Sequence, residues 1–274
     1  MKLFRRLTYR TEVVNLAKWL GLSNMLRKLY FWWARPKNGI LSLELAGVKA
    51  RFRIRTPEEL RILESVGGAG GEHKVIAEVL GFLKAGDTVY DVGANVGLYT
   101  VLLSKTVGAS GQVFAFEPEA KTCEHLQDNL KLNEVENVRW YRKALGDTSG
   151  KGSLFAGGII GGGSLIRHKG DSQQGQVVDI VRGDDFVAAD SLPTPRVVKI
   201  DVEGYEHGDI VGLQTTLSKP ACEMLCCEVH PSMLPPQVTP SAVLSLVESL
   251  GFKSILQFPR WDKTFHIVAR KTAA

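Results

Sequence analysis

From residue 72 onward, short apolar runs alternate with longer segments whose apolar side chains recur every three to four positions, the two periods that distinguish strands from amphipathic helices. The runs predict strands near 88–92, 113–117, 138–141, 197–202, 225–229, 254–257 and 265–269, and the longer segments predict helices around 98–105, 120–132, 206–213 and 241–250. Strands that are apolar on both faces and separated by helices belong to a parallel sheet covered on each side. The last two strands are joined by a short turn containing Pro259 and Trp261, too short for a helical crossover, so they run antiparallel. The pattern predicts an α/β domain over residues 72–274, with a Rossmann-like, seven-stranded, mostly parallel sheet and one antiparallel strand.

Residues 1–71 follow another pattern. Leu16, Leu20, Met25 and Leu29, with Trp19, Tyr30, Trp32 and Trp33, interleave with Arg5, Arg6, Arg10, Lys18, Arg27 and Lys28, which describes a basic, aromatic-rich amphipathic element. Two period-two runs around Gly47 predict a β-hairpin. Pro57 and the two glutamates after it open a short helix. The expectation is an N-terminal helical and hairpin extension, 1–71, ahead of the larger domain. Between Asp147 and Arg182 the order breaks down into a glycine-rich run over 157–164 and a polar stretch from His168 to Gln176. This reads either as a loop closing over a site or as a surface insertion.

Composition narrows the class without naming a partner. The 34 Lys+Arg against 29 Asp+Glu give a formal charge of +5, short of the basic field of a dedicated nucleic-acid binder, so no nucleic-acid partner is expected. No stretch has the roughly 18 uncharged apolar residues of a membrane span, and Glu12, Asn15 and Lys18 interrupt the apolar core that a secretory signal needs. Cys222, Cys226 and Cys227 crowd into one apolar stretch, with Cys123 apart, which is not a disulfide framework. An extended strand sets Cys222 and Cys226 about 13 Å apart at ~3.3 Å per residue, which argues against a shared zinc ion. The four read as core thiols in a cytoplasmic protein. Residues 1–35 suit a docked helix, a cover over the site or weak contact with an anionic membrane surface.

The first strand of the larger domain runs directly into Asp91-Val92-Gly93-Ala94-Asn95-Val96-Gly97 and then a helix. Open α/β sheets bind ligands beyond the carboxyl ends of their strands, at the topological switch point, so a nucleotide-like ligand is expected there. The chain has no G-x-x-x-x-G-K-[ST] phosphate loop, and a dinucleotide fingerprint would need glycine where Asn95 and Leu98 stand. A ligand without phosphates fits better. Asp91, Gly93, Asn95 and Gly97 supply an acid and a tight turn suited to the ammonium and carboxylate of S-adenosylmethionine. Glu117 ends the next strand twenty residues past Gly97, where an acid accepts hydrogen bonds from both ribose hydroxyls; its structural alternative is a helix-start acid. Ala144 and Leu145, past the third strand, lie where this fold touches adenine.

Two further motifs are Val197-Val198-Lys199-Ile200-Asp201-Val202-Glu203-Gly204-Tyr205-Glu206, with Gly212 after the next helix, and Glu228-Val229-His230-Pro231. Here the sequence resembles the FkbM family of methyltransferases, over roughly residues 72–270. The resemblance implies the class I methyltransferase fold and S-adenosylmethionine as cofactor. It also implies O-methylation of a hydroxyl on a carbohydrate or secondary metabolite, hence a small-molecule or glycan acceptor.

Methyl transfer from a sulfonium is an in-line displacement in which alignment supplies much of the acceleration. A hydroxyl acceptor also needs a proton sink or a metal ion. Asp201 and Glu203 end the fourth strand, Glu228 and His230 end the fifth, and side chains two apart in a strand share a face. These four are the candidate catalytic residues. The leading reading makes His230 or Asp201 the general base, with Glu203 and Glu228 orienting the acceptor and Asp201 also bordering the cofactor. A divalent cation held by some of the four is a further reading. Lys199 and Glu206 read as structural, and His73, His125, His168, His207 and His266 receive no role. The alternatives are an NAD-dependent oxidoreductase, disfavoured by Asn95 and Leu98, and a non-catalytic nucleoside-binding relative of the fold, disfavoured by the acidic cluster.

Overall fold

The computed structural model describes residues 23–66, 72–156, 163–166, 175–260 and 263–271. Along the chain come α1 (Ser23–Ala34), a hairpin of β1 (Ile40–Leu45) and β2 (Val48–Arg53), α2 (Pro57–Val66) and α3 (Glu72–Phe82). Next are β3 (Thr88–Val92), α4 (Leu98–Val107), β4 (Gln112–Phe116), α5 (Ala120–Leu132) and β5 (Val138–Tyr141). A third group holds β6 (Ala144–Gly146), β7 (Gly150–Ala156), β8 (Gly163–Ser164), β9 (Gln176–Arg182) and α6 (Gly183–Ala189). The chain then forms β10 (Val197–Ile200), α7 (Glu206–Gly212), α8 (Gln214–Ser218), β11 (Met224–Val229), α9 (Pro240–Ser249), β12 (Ser254–Pro259) and β13 (Phe265–Arg270).

The apolar runs pair as their pattern requires. Seven strands form one sheet in the order β12-β13-β11-β10-β3-β4-β5, in which β13 runs antiparallel to both β11 and β12 and the remaining pairs are parallel. From β3 the chain moves outward through β4 and β5 and then returns to β10 on the other side. The carboxyl ends of β3 and β10 therefore flank the switch point, the position where such sheets bind ligands. One face of the sheet packs against Phe52, Ile76 and Leu102; on the other, Tyr90, Phe114 and Phe116 pack with Ile210 and Phe252.

The described part of the N-terminal extension shares that first core. Phe52, Ile54, Leu60 and Leu63 are buried among α3 and α4 side chains. The hairpin is also tied by its backbone: the N–H groups of Arg51 and Arg53 donate to the side-chain carbonyls of Asn133 and Asn129, each at 2.9 Å. Helix α1 turns Tyr30, Phe31 and Ala34 toward this core and exposes Met25, Leu29, Trp33 and Trp32, the last at 83%. Residues 1–22, the rest of the expected amphipathic element, lie outside the described residues. Among the described residues no helix is long and apolar enough to cross a membrane. All four cysteines are buried and unpaired, as their apolar setting implies.

Two expectations need correction. The described residues between Asp147 and Arg182 are ordered: β7 and β9 pair antiparallel, and with β6 and β8 they form a separate sheet in the order β6-β9-β7-β8, whereas 157–162 and 167–174, where the loop was expected, lie outside the described residues. The apolar pairs Leu154-Phe155 and Val177-Val178 carry these strands, and the glycine run between them masked the pattern. Strand β10 also stops at Ile200, two residues earlier than expected, because Glu203 (φ 53°) and Gly204 (φ 102°) turn the chain in the left-handed region.

Because the hairpin belongs to the common core, Phe52→Ala should destabilise the whole protein by about 3–5 kcal/mol, the usual cost of emptying a buried aromatic site. Urea unfolding followed by circular dichroism should show one transition moved to lower denaturant. A shift worth under about 1 kcal/mol would mean that the hairpin is merely attached to the surface.

Candidate active site

Register places the first charges. In the parallel pair β3 and β10, Asp91 lies opposite Lys199, and their side chains meet with Lys199 Nζ 3.1 Å from Asp91 Oδ1. Burial opposes the lysine's charge, but the charges of Asp91 and Asp201 outweigh it and raise the Lys199 pKa. Lys199 Nζ also donates to the Gly93 carbonyl at 2.8 Å. The other oxygen of Asp91 accepts from the Thr100 hydroxyl at 2.6 Å. Asp91, wholly buried, thus faces Lys199 and helix α4, where the sequence suggested it would meet the ligand.

The turn after β3 is shaped by contacts within the protein. At Gly93 (φ +75°) an added Cβ would lie 1.8 Å from the Asp201 carbonyl oxygen, so the close approach that demands glycine is to the end of β10. Asn95 also adopts a left-handed conformation (φ 52°); its side-chain oxygen accepts from the Val96 N–H at 2.7 Å and its own N–H donates to Glu117 Oε2 at 3.0 Å. Gly97 begins α4 and packs on Leu126. Asn95 and Gly97 therefore form the turn and do not line the crevice.

The crevice opens between this turn, the end of β4 and the start of α7. Gly93, Glu117, Ala144, Leu145, Asp201 and Glu203 line it, together with Val202, Tyr205 and Asp209. Leu154 and Leu165, from the small sheet and the bend after it, also line it, as does Lys143. Counted out into open solvent, the space between these walls is ≈ 560 Å³.

Glu117 is buried (6% exposed). Its two oxygens accept from the backbone N–H groups of Asn95 (3.0 Å) and Glu119 (2.9 Å). Burial pushes its pKa up to about 7 against the pull of those N–H groups. A carboxylate uses about four lone-pair sites, so Glu117 retains capacity for a pair of hydroxyl donors such as those of a ribose. These acceptor sites fit the sugar of a nucleoside.

The acids and imidazole at the ends of β10 and β11 converge. His230 Nδ1 lies 2.5 Å from Glu206 Oε1, and its Nε2 is 3.5 Å from Glu203 and 4.0 Å from Glu228. Burial disfavours a charge on His230, but the hydrogen bond to Glu206 and the charges of Asp201 and Glu203 outweigh it and push its pKa up to about 10. An imidazole already protonated near neutral pH cannot accept a proton, which corrects the expectation that His230 serves as a base.

Glu228 also departs from its expected part. It pairs across β11 and β13 with His266 in register, contacting it at 3.2 Å and Arg260 Nε at 3.3 Å, and Arg260 continues to Glu72 at 2.5 Å. Burial opposes ionisation, yet His266, then Arg260 and His230, pull the Glu228 pKa down to about 2. A carboxylate so occupied anchors the hairpin more than it orients an acceptor. Asp201 and Glu203 do line the crevice. Burial, reinforced by the charge of Glu228 and opposed by Lys199 and His230, pushes Asp201 up to about 7. Ligand atoms of Asp201, Glu203 and His230 lie within 4.8 Å of one another.

Sequence reasoning missed three participants. Glu206, taken as structural, accepts from the Gly204 N–H at 2.9 Å and also holds His230. His266 and Arg260 both contact Glu228. The His266 contact was recoverable from the hairpin register, whereas the Arg260 and Glu206 contacts depend on how turns fold back and carry no spacing signal.

With this geometry in view, similarity to known proteins is informative. Residues 91–254 match the family model described as the methyltransferase FkbM domain. The hexuronic acid methyltransferase AglP of Haloferax volcanii is 29% identical over 211 residues, spanning 76% of this chain and 83% of that protein. Among solved structures, an rRNA methylase from Streptococcus thermophilus (12% identity, 74% of this chain and 97% of that one, TM-score 0.48) and a SAM-dependent methyltransferase from Aquifex aeolicus (16%, 80% and 100%, TM-score 0.45) resemble it more distantly, too distantly to inform function. The chain belongs to the FkbM methyltransferase family and is a class I, S-adenosylmethionine-dependent methyltransferase.

The Lys199–Asp91 pair yields a direct check. Lys199→Met leaves a buried carboxylate without its counter-ion and should cost about 3–5 kcal/mol in urea unfolding, while adding Asp91→Leu should recover at least half of that loss. A double variant no more stable than the single one would contradict the pairing.

Proposed function

We propose that the protein methylates a carbohydrate hydroxyl, with hexuronic acids as the acceptor class, and that Asp201 is the general base. The observation that carries this reading is the placement of two carboxyl groups with pKa values pushed up to about 7, Glu117 and Asp201, on one crevice. Glu117 suits the sugar of the donor. Asp201 suits the proton of the acceptor, because a base works best with a pKa near the operating pH. The acceptor class is supported by likeness to a hexuronic acid methyltransferase.

When bound, S-adenosylmethionine supplies a methyl carbon made electrophilic by its sulfonium. Glu117 and the crevice walls at Ala144 and Leu145 would hold its nucleoside, and Asp201 lines the same crevice. The Asp201 carboxylate would take the proton of the acceptor hydroxyl as its oxygen gains the methyl group and the carbon–sulfur bond breaks to release S-adenosylhomocysteine. His230, held as imidazolium by Glu206, keeps Glu203 and Asp201 from repelling one another. Leu154 and Leu165 limit water at the mouth, as a methyl donor requires.

Asp201→Asn should lower kcat by about 10²–10⁴-fold, the usual range for a lost general base, while S-adenosylhomocysteine affinity by calorimetry stays within about threefold. Retained turnover on a hexuronate that the wild type methylates would remove Asp201 from this role. The wild-type rate should also depend on pH. Asp201 must be ionised to accept the proton, so kcat/KM should rise as pH increases through about 7 and then level off, and Asp201→Asn should lack that limb.

The clustering of Asp201, Glu203 and His230 also favours a second reading, a divalent cation that draws these side chains together and holds the acceptor hydroxyl. It requires His230 to lose its proton to the metal. Full turnover after exhaustive chelation decides for the proton-transfer reading, and loss restored by added Mg²⁺ or Mn²⁺ decides for the cation.

A further inference from the structure

Asp209 is the buried acid that the chemistry above leaves unused. It lies on α7, is 1% exposed and borders the crevice alongside Leu145 and Val202. Neither carboxyl oxygen has a hydrogen-bonding partner among the described residues. Its charged neighbours are also acids. Burial first, and then repulsion from Glu206 and Asp147, raise its pKa well above the usual carboxylate range, the direction that favours the protonated carboxyl. The hydroxyl of Tyr205, which also lines the crevice, is directed instead to Asp147 at 2.9 Å.

A buried polar group with no partner is costly and rare in native proteins, and one that faces a ligand crevice is explained most simply by the ligand that completes it. Apolar side chains beside it, Ala144, Leu145 and Val202, suit the faces of a flat heterocycle. We infer that Asp209 reads the Watson–Crick edge of the donor's adenine. This rests on the assignment of S-adenosylmethionine to the crevice and goes beyond it by naming what selects the base. A neutral carboxyl presents an O–H donor beside a carbonyl acceptor. Adenine presents the complement, N1 as acceptor beside the N6 amino donor, so two parallel hydrogen bonds satisfy both oxygens of Asp209.

The test compares binding of S-adenosylhomocysteine and its 1-deaza analogue, in which C–H replaces N1, to wild type and to Asp209→Leu by calorimetry. The wild type should bind the analogue at least tenfold more weakly than S-adenosylhomocysteine. Asp209→Leu should bind S-adenosylhomocysteine at least tenfold more weakly than wild type and no longer distinguish the two ligands. Its melting temperature without ligand should equal or exceed that of wild type, because an unsatisfied buried acid has been removed; a merely structural acid would give lower stability with unchanged discrimination.

The inference is overturned if Asp209→Leu still discriminates, or if it binds S-adenosylhomocysteine as tightly as wild type. The wild-type comparison stands even if the variant fails to fold, since an analogue that wild type binds as tightly as S-adenosylhomocysteine also overturns it. Wild type that binds neither S-adenosylmethionine nor S-adenosylhomocysteine would defeat the donor assignment itself, a result distinct from tight binding that ignores N1.

Discussion

The site depends on one buried ion pair between neighbouring strands. Lys199 and Asp91 lie opposite one another in β10 and β3, and two charges this deep are tolerated only because each is neutralised and further hydrogen-bonded. Lys199 reaches the Gly93 carbonyl and Asp91 holds Thr100 of α4, so the pair ties both strand ends and the following helix into one rigid unit. The Asp201 backbone is thereby pressed against Gly93, where only glycine leaves room. The crevice is what remains between that fixed corner and the end of β4.

The remaining charges follow from which acids have partners. Asp91 and Glu228 each have a cation at hand, Asp91 in Lys199 and Glu228 in Arg260, and Glu228 also contacts the His266 ring. Glu117 and Asp201 have no cation at hydrogen-bonding distance among the described residues, and burial pushes both up to about 7. Groups whose surroundings drive their pKa values apart reveal a division of roles. Here Glu228, pulled down by its partners, is structural, and the raised pair faces the crevice. The same logic makes His230 a fixed positive charge, since Glu206 holds one nitrogen while Glu203 approaches the other.

Much of this was legible in the sequence. Strand and helix periods gave the sheet, and the short connection before Phe265 gave its reversed strand, because those properties reside in local pattern. The turn after β3 and the position of Glu117 at the end of β4 were legible for the same reason: strand, turn and helix follow one another without interruption. The β7–β9 pairing escaped because its two strands are separated by a glycine-rich segment that hides their alternation. Asp91 was misread because its partner, Lys199, lies 108 residues away in sequence and becomes a neighbour only through parallel register. Asp209 carried no signal at all, since an acid in the first turn of a helix looks like a favourable interaction with the helix dipole until its burial is seen.

The most direct measurement is a crystal structure of the protein with S-adenosylhomocysteine. The expected result places the Glu117 carboxylate within hydrogen-bonding distance of both ribose hydroxyls, with the thioether sulfur turned toward Asp201 and the Lys199–Asp91 pair intact beneath. Density for the nucleoside elsewhere on the molecule, or Glu117 turned away from its sugar, would contradict it.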